Sequence, residues 1–172
     1  MSLSASIGAI LFVGHSLFGF VIPGMIEEAL RQAGSPTRVE AQITIGSPLS
    51  WNWERSHEAQ GVDARRELPT GAYRTVILTE GLPLHAHTRW SDSAGNAKRF
   101  YDLALEGNPQ AQVFLHETWH SLLSGTGAPV PHDDRGDIPW RERLDLSYPE
   151  WRGIVDAVNA ARTPGQPPMR LI

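Results

Sequence analysis

Apolar residues in this chain fall into short blocks with two different periods. Ile7 to Val13 is a nearly unbroken apolar run that ends at Gly14-His-Ser-Leu17 and predicts a buried strand entering a tight turn. Pro23 suits a first helical turn, and Met25, Ile26, Ala29, Leu30 and Ala33 recur at helical spacing until Gly34. From Arg38 to Ile45 the apolar positions alternate (Val39, Ala41, Ile43, Ile45), which predicts a second strand. Gly46-Ser-Pro then opens a long irregular stretch through Gly71. Arg74 to Thr79 is a third strand, apolar enough to be central. Asp92 or Ser93 caps a helix that carries Ala97, Phe100, Tyr101, Ala104 and Leu105 and ends at Gly107. Ala111 to Leu115 is a fourth strand, and residues 124–147 form a loop rich in Gly, Pro and Asp. A last helix starts at Ser147 or Tyr148-Pro149 and runs through Ala161, with Trp151, Ile154, Val155 and Val158 on one face. Met169 to Ile172 begins a fifth strand.

Strands alternating with helices predict an α/β domain, a three-layer α/β/α sandwich around a parallel sheet of about five strands. At 172 residues the chain is read as one domain. Its fifth strand begins where the sequence stops, so the loop that a parallel strand normally hands on to is expected beyond Ile172.

Composition removes several classes of chemistry. With no cysteine, thiolate metal sites, disulfides and a Cys nucleophile are excluded. A formal net charge of -4 with no basic block gives no nucleic-acid footprint. The apolar run from Ile7 to Ile26 is interrupted by His15, Ser16 and Pro23 and has no preceding Lys or Arg, which argues against both a membrane span and a signal peptide. The chain as given is expected to be cytoplasmic; if Met1-Ser-Leu3 replaces a native leader, the protein is exported.

Ser16 follows the first strand directly, where open parallel sheets present their functional loops. A serine hydroxyl needs a base to take its proton and N–H donors for the oxyanion. The Gly-x-Ser-x-Gly elbow is not met, because position 18 is Phe. A turn that only joins strand to helix, its hydroxyl bonded to backbone, is the plainer reading of Gly14-His-Ser16 taken alone.

The early serine resembles the first block of the SGNH (GDSL-type) hydrolases, and the resemblance extends over most of the chain. Gly14-His-Ser-Leu17 is similar to that block, with Ser16 as the implied nucleophile. Ile45-Gly46-Ser47 is similar to the second block, whose Gly donates a backbone N–H to the oxyanion. Thr79-Glu80-Gly81 falls where the third block belongs, and Phe114-Leu-His-Glu-Thr-Trp119 resembles a strand-end segment of esterase-like members. The resemblance implies the flavodoxin-like SGNH fold, an ester hydrolase and no metal or cofactor. Three departures stand out. His15 occupies the usual Asp position, Glu80 stands near where an Asn donor is expected, and no Asp-x-x-His block is present. That block, which supplies orienter and base, is expected after the fifth strand.

His116-Glu-Thr-Trp-His120 also matches H-E-x-x-H, which on a helix would set two imidazoles on one face for zinc, with Glu142 or His132 as a third ligand. A helix there would leave the sheet one strand short. His85-Ala-His87 is placed in the loop after the third strand, and His132-Asp133-Asp134 is a remote candidate base with its orienter. Of six tryptophans, Trp51, Trp53, Trp90, Trp119 and Trp140 are expected in loops or at strand ends, as sugar-stacking faces or as plugs under loops, and Trp151 in the core. The chain is therefore expected to cleave a carboxylic ester, with an O-acetylated carbohydrate as candidate substrate. Ser16 and Gly46 are its catalytic residues, and His15, Glu80, His85, His116, Glu117 and Trp119 contact the substrate. A zinc peptidase and a non-catalytic carbohydrate-binding relative are the alternatives.

Overall fold

A computed structural model describes residues 8–172. Six strands form one sheet: β1 (Ala9–Gly14), β2 (Val39–Ile43), β3 (Gln60–Gly61), β4 (Tyr73–Leu78), β5 (Gln112–Leu115) and β6 (Arg170–Leu171). Their order is β3-β2-β1-β4-β5-β6, and every pairing is parallel except β2 with β3. The expected start of the first strand at Ile7 lies outside the described residues. The sheet has one strand more than expected, because the two-residue antiparallel edge β3 is too short to carry an alternation.

Among the described residues, six α-helices accompany the sheet: α1 (Val21–Gln32), α2 (Leu49–Glu54), α3 (Ala64–Glu67), α4 (Leu84–Trp90), α5 (Ser93–Gly107) and α6 (Trp140–Ala160). One face of the sheet packs Leu11, Val13, Val76, Leu78, Val113 and Leu115 against Phe100, Tyr101 and Ala104 of α5 and Trp151, Ile154 and Val155 of α6. On the other face Phe12, Ala41 and Ile43 meet Phe18 and the Ile22 and Ile26 stripe of α1. Those two apolar clusters are the cores of the three-layer sandwich.

Three segments depart from the expected elements. The stretch from Gly46 to Gly71 is built rather than irregular. Gln42, buried on β2, donates from Nε2 to the Asn52 carbonyl (2.7 Å) and accepts at Oε1 from Ser56 Oγ (2.6 Å) and the Ala64 N–H (2.8 Å). Such long-range polar pinning leaves no periodic signal. The segment after β4 is helix α4, not loop. Helix α6 begins at Trp140, well before the expected start at Ser147 or Pro149, and carries Pro149 inside it. Its first turns are held by burial of Arg143 and Ser147, so tertiary packing outweighs the break that a proline normally imposes. Of the tryptophans expected in loops, Trp51 and Trp53 lie in α2, Trp90 ends α4 and Trp140 opens α6. No described helix is long and apolar enough to cross a membrane.

Candidate active site

After β1 the chain builds its helix to one side of the sheet, and after β2 it crosses over β1 to β4. The C-terminal ends of β1 and its neighbours therefore face a topological switch point, the usual ligand crevice of an open parallel sheet. A cavity of about 390 Å³ lies there. It is lined by His15, Ser16 and Leu17 after β1, Gly46 after β2, Gly81 to Pro83 after β4, Trp119 to Leu122 after β5, and Val130, Pro131 and Asp133 from the long loop.

Ser16 is exposed in a turn closed by N–H donation from Phe18 (3.0 Å) and Gly19 (3.3 Å) to the His15 carbonyl. Gly14 is required just before it: a Cβ there would stand 2.5 Å from Thr79 Cγ2 and 3.2 Å from Phe18 Cδ2. Gly46 sits in the turn closed by Ser47 N–H on the Thr44 carbonyl (3.3 Å), at φ +66, the left-handed region glycine enters without cost. Among the described residues, the N–H groups of Ser16 and Gly46 have no protein acceptor. They are two unpaired backbone donors lining one cavity.

His15 is buried, and both ring nitrogens are occupied. Nε2 donates to the Glu80 carbonyl (2.9 Å), so Nδ1 is the acceptor, facing the Leu17 N–H at 3.4 Å. Burial lowers its pKa, and the neutral ring braces the serine turn against the end of β4. Glu80, expected to touch substrate, is fully buried away from the cavity. Its Oε1 accepts from Leu49 N–H (2.8 Å) and Gly81 N–H (2.7 Å), tying the start of α2 to the β4 end. Burial raises its pKa. Through that one oxygen Glu80 clamps two backbone segments together.

His85 and His116 do not line the cavity either. His85 lies on α4 with Nε2 bonded to Asp134 Oδ1. The His116 ring packs on Phe18 at 5.1 Å, and burial lowers its pKa. Glu117 is half-buried outside the cavity, donates its N–H to the Ile172 carbonyl (2.8 Å) and has its carboxyl pKa raised by burial. Trp119 does line the cavity, at 46% exposure.

Residues 116–120 leave β5 without forming a helix, so the H-E-x-x-H motif lacks the helix that would align its imidazoles. His120 is instead 2% exposed, lines the cavity, and places Nδ1 3.0 Å from Arg143 Nη2. Arg143 is itself buried on α6, its Nη1 donating to Asp133 Oδ2 (3.0 Å) and the Arg135 carbonyl (2.6 Å). The loop bearing His132-Asp133-Asp134 thus folds back over the cavity, but Asp133 is the residue that reaches it. His132 is exposed. His120, Asp133 and Arg143 were not expected to meet. Arg143 carries no sequence signal, being one of several charges ahead of the expected start of the last helix. One ligand atom each from His85, Asp133 and Asp134 lies within 4.8 Å of the others, but Asp133 already neutralises Arg143.

No family model matches the chain, and no curated protein matches it. Among solved structures, the chain superposes on a protein of Parabacteroides merdae provisionally described as a GDSL-like lipase, with TM-score 0.56 and 15% identity over 90% of this chain and 75% of that one. At that identity the likeness is one of fold alone: the two share an α/β architecture.

Proposed function

We propose that this protein is a GDSL-type hydrolase that cleaves a carboxylic ester through an acyl-enzyme on Ser16. The observation that carries the reading is the exposed Ser16 at the end of β1, sharing a cavity with Gly46 while both backbone N–H groups lack a protein acceptor. Ser16 Oγ bonds to the acyl carbon as its proton passes to a base. The N–H groups of Ser16 and Gly46 hold the resulting oxyanion. Collapse breaks the bond to the alcohol, which leaves with that proton, and water then releases the acid. His15 is not the base, since its Nε2 is committed to donating and its Nδ1 faces Leu17. The base that the resemblance implies is a histidine oriented by a carboxylate.

Leu17, Leu82 and Pro83 are apolar, and half-exposed Trp119 offers a flat face for a sugar ring. An O-acetylated carbohydrate fits those features. A fluorophosphonate probe tests the reading on the full-length protein. Labelling of wild type that vanishes in Ser16→Ala is the expected result. No labelling of wild type would overturn it and favour a carbohydrate-binding role, to be checked by binding of acetylated oligosaccharides.

A further inference from the structure

Arg143 sits where a base-type histidine would need a carboxylate. In a serine triad the residue behind the imidazole accepts from Nδ1–H, which leaves Nε2 free to take the serine proton. Here the group behind His120 is a guanidinium, which has donors and no acceptor. Its Nη2 lies 3.0 Å from Nδ1 of His120, so Nδ1 must be the unprotonated nitrogen and Nε2 must carry the hydrogen. The polarity of the ring is inverted relative to a general base.

Asp133 and the fold hold this inversion in place. The guanidinium has little freedom, since Nη1 is fixed by Asp133 Oδ2 and the Arg135 carbonyl. The side chains of Arg143 and Asp133 are 2% and 4% exposed, so water does not loosen the pair. The backbone of His120 is tied as well, its carbonyl accepting from Trp140 Nε1 at 3.4 Å. Burial, and then the Arg143 charge, lower the His120 pKa to about 4, so the ring is neutral at ordinary pH. Asp133 pulls the other way, while His85 and Arg135 add to the lowering.

One atom of this arrangement is left over. Nε2 of His120 is buried and has no hydrogen-bond partner among the described residues. A buried donor left unpaired is costly, and such groups in folded proteins call for an explanation. His120 belongs to the wall of the cavity that holds Ser16 and Gly46. The side-chain donor expected at the end of β4 is missing, because Glu80 is buried as a clamp.

We infer that His120 is a catalytic hydrogen-bond donor of this site: its Nε2–H binds the acyl oxygen of the ester beside the N–H groups of Ser16 and Gly46, with Arg143 as the positioning residue that fixes its tautomer. The inference rests on the acyl-enzyme reading of Ser16. It gives the site a third donor, drawn from the segment after β5 rather than from the end of β4. His120 is neutral before and after the reaction and transfers no proton.

Two measurements on the full-length protein test it. In a ¹⁵N-histidine NMR spectrum, His120 is expected as the Nε2–H tautomer and uncharged from pH 8 down to about pH 5.5. A protonated Nδ1 or a cationic ring in that range would overturn the inference. The second is the rate of fluorophosphonate labelling at Ser16, whose adduct carries an oxygen in the oxyanion position. His120→Phe keeps a ring but no donor, and at a temperature where both proteins are folded the rate is expected to fall about 10²–10³-fold. His120→Gln, which keeps an N–H donor, is expected to recover part of it. Wild type and His120→Phe labelled at equal rates would sink the inference while leaving Ser16 as nucleophile. Unlabelled wild type would remove the Ser16 reading, and the donor role with it.

Discussion

The two sides of the cavity are made of different materials. The wall from β1 and β2 is backbone: two tight turns, a glycine at φ +66, and N–H groups with no acceptor. The wall from the 116–139 segment and α6 is side chain, a buried guanidinium between a carboxylate and an imidazole. Backbone donors need close approach and unusual dihedrals, so their cost is steric. Side-chain donors in a buried wall need their charges balanced, so their cost is electrostatic. The two walls should therefore fail in different ways.

The largest expected effect is on the charged wall. Arg143→Leu leaves the Asp133 carboxylate buried without its partner, and the loss of stability is expected at about 3–5 kcal/mol. Adding Asp133→Leu should restore most of it, since two apolar groups can replace a buried ion pair at little cost. Urea denaturation of the two variants checks this. A double variant no more stable than the single one would mean that Asp133 is not what makes Arg143 costly to remove.

On the backbone wall, Gly14→Ala forces a methyl onto Thr79 Cγ2 and Phe18. Overpacking of this kind is expected to cost about 1–3 kcal/mol and to displace the serine turn, so stability and Ser16 labelling should fall together. Gly46→Ala is milder. A Cβ at Gly46 meets nothing within 4 Å, so only the positive φ is penalised, at about 1–2 kcal/mol. If its turn then relaxes to negative φ, its N–H swings away and Ser16 labelling drops more than the small change in melting temperature implies. Unchanged labelling in a Gly46→Ala protein whose turn has relaxed to negative φ would remove Gly46 as an oxyanion donor.

The same contrast explains how much was legible in the sequence. The backbone wall was readable because its parts are local: an apolar run, then Gly14-His-Ser16, and an alternating run, then Gly46. Strand, turn and glycine lie within a few residues of one another, and parallel strands bring their ends together. The charged wall was not. His120, Asp133 and Arg143 come from a coil, a loop and a helix, and no periodicity connects them. His120 was visible only within a zinc motif that presumes a helix, and the loop's path depends on contacts such as Gly125 N–H to the Gly136 carbonyl (2.9 Å). Glu80 lies outside the cavity lining for a related reason. Its place at a strand end is local, but the Leu49 and Gly81 N–H groups that claim its Oε1 come from a packing arrangement that no local pattern carries.

The smallest effect separates the donors of the two walls, because the imidazole donor can take up a proton and the backbone donors cannot. His120 in the folded protein has a pKa of about 4, against an ordinary value of 6.5. Between those values the unfolded chain holds more protons at this site than the native one. Its contribution to stability is therefore complete above about pH 6.5 and is lost as pH falls toward 4. His15 and His116, also lowered by burial, act in the same direction. Glu80, raised by burial, acts oppositely, favouring the fold more as pH falls through its folded value. The wild-type curve is the sum of these, so the informative quantity is the difference between wild type and His120→Phe. That difference should shrink as pH falls from 6.5 to 4 and stay flat above. Gly46→Ala, which changes no titrating group, should run parallel to wild type throughout. A His120→Phe curve equally parallel would mean that the imidazole takes its proton as readily in the fold as outside it, and that burial and the Arg143 charge do not hold it neutral.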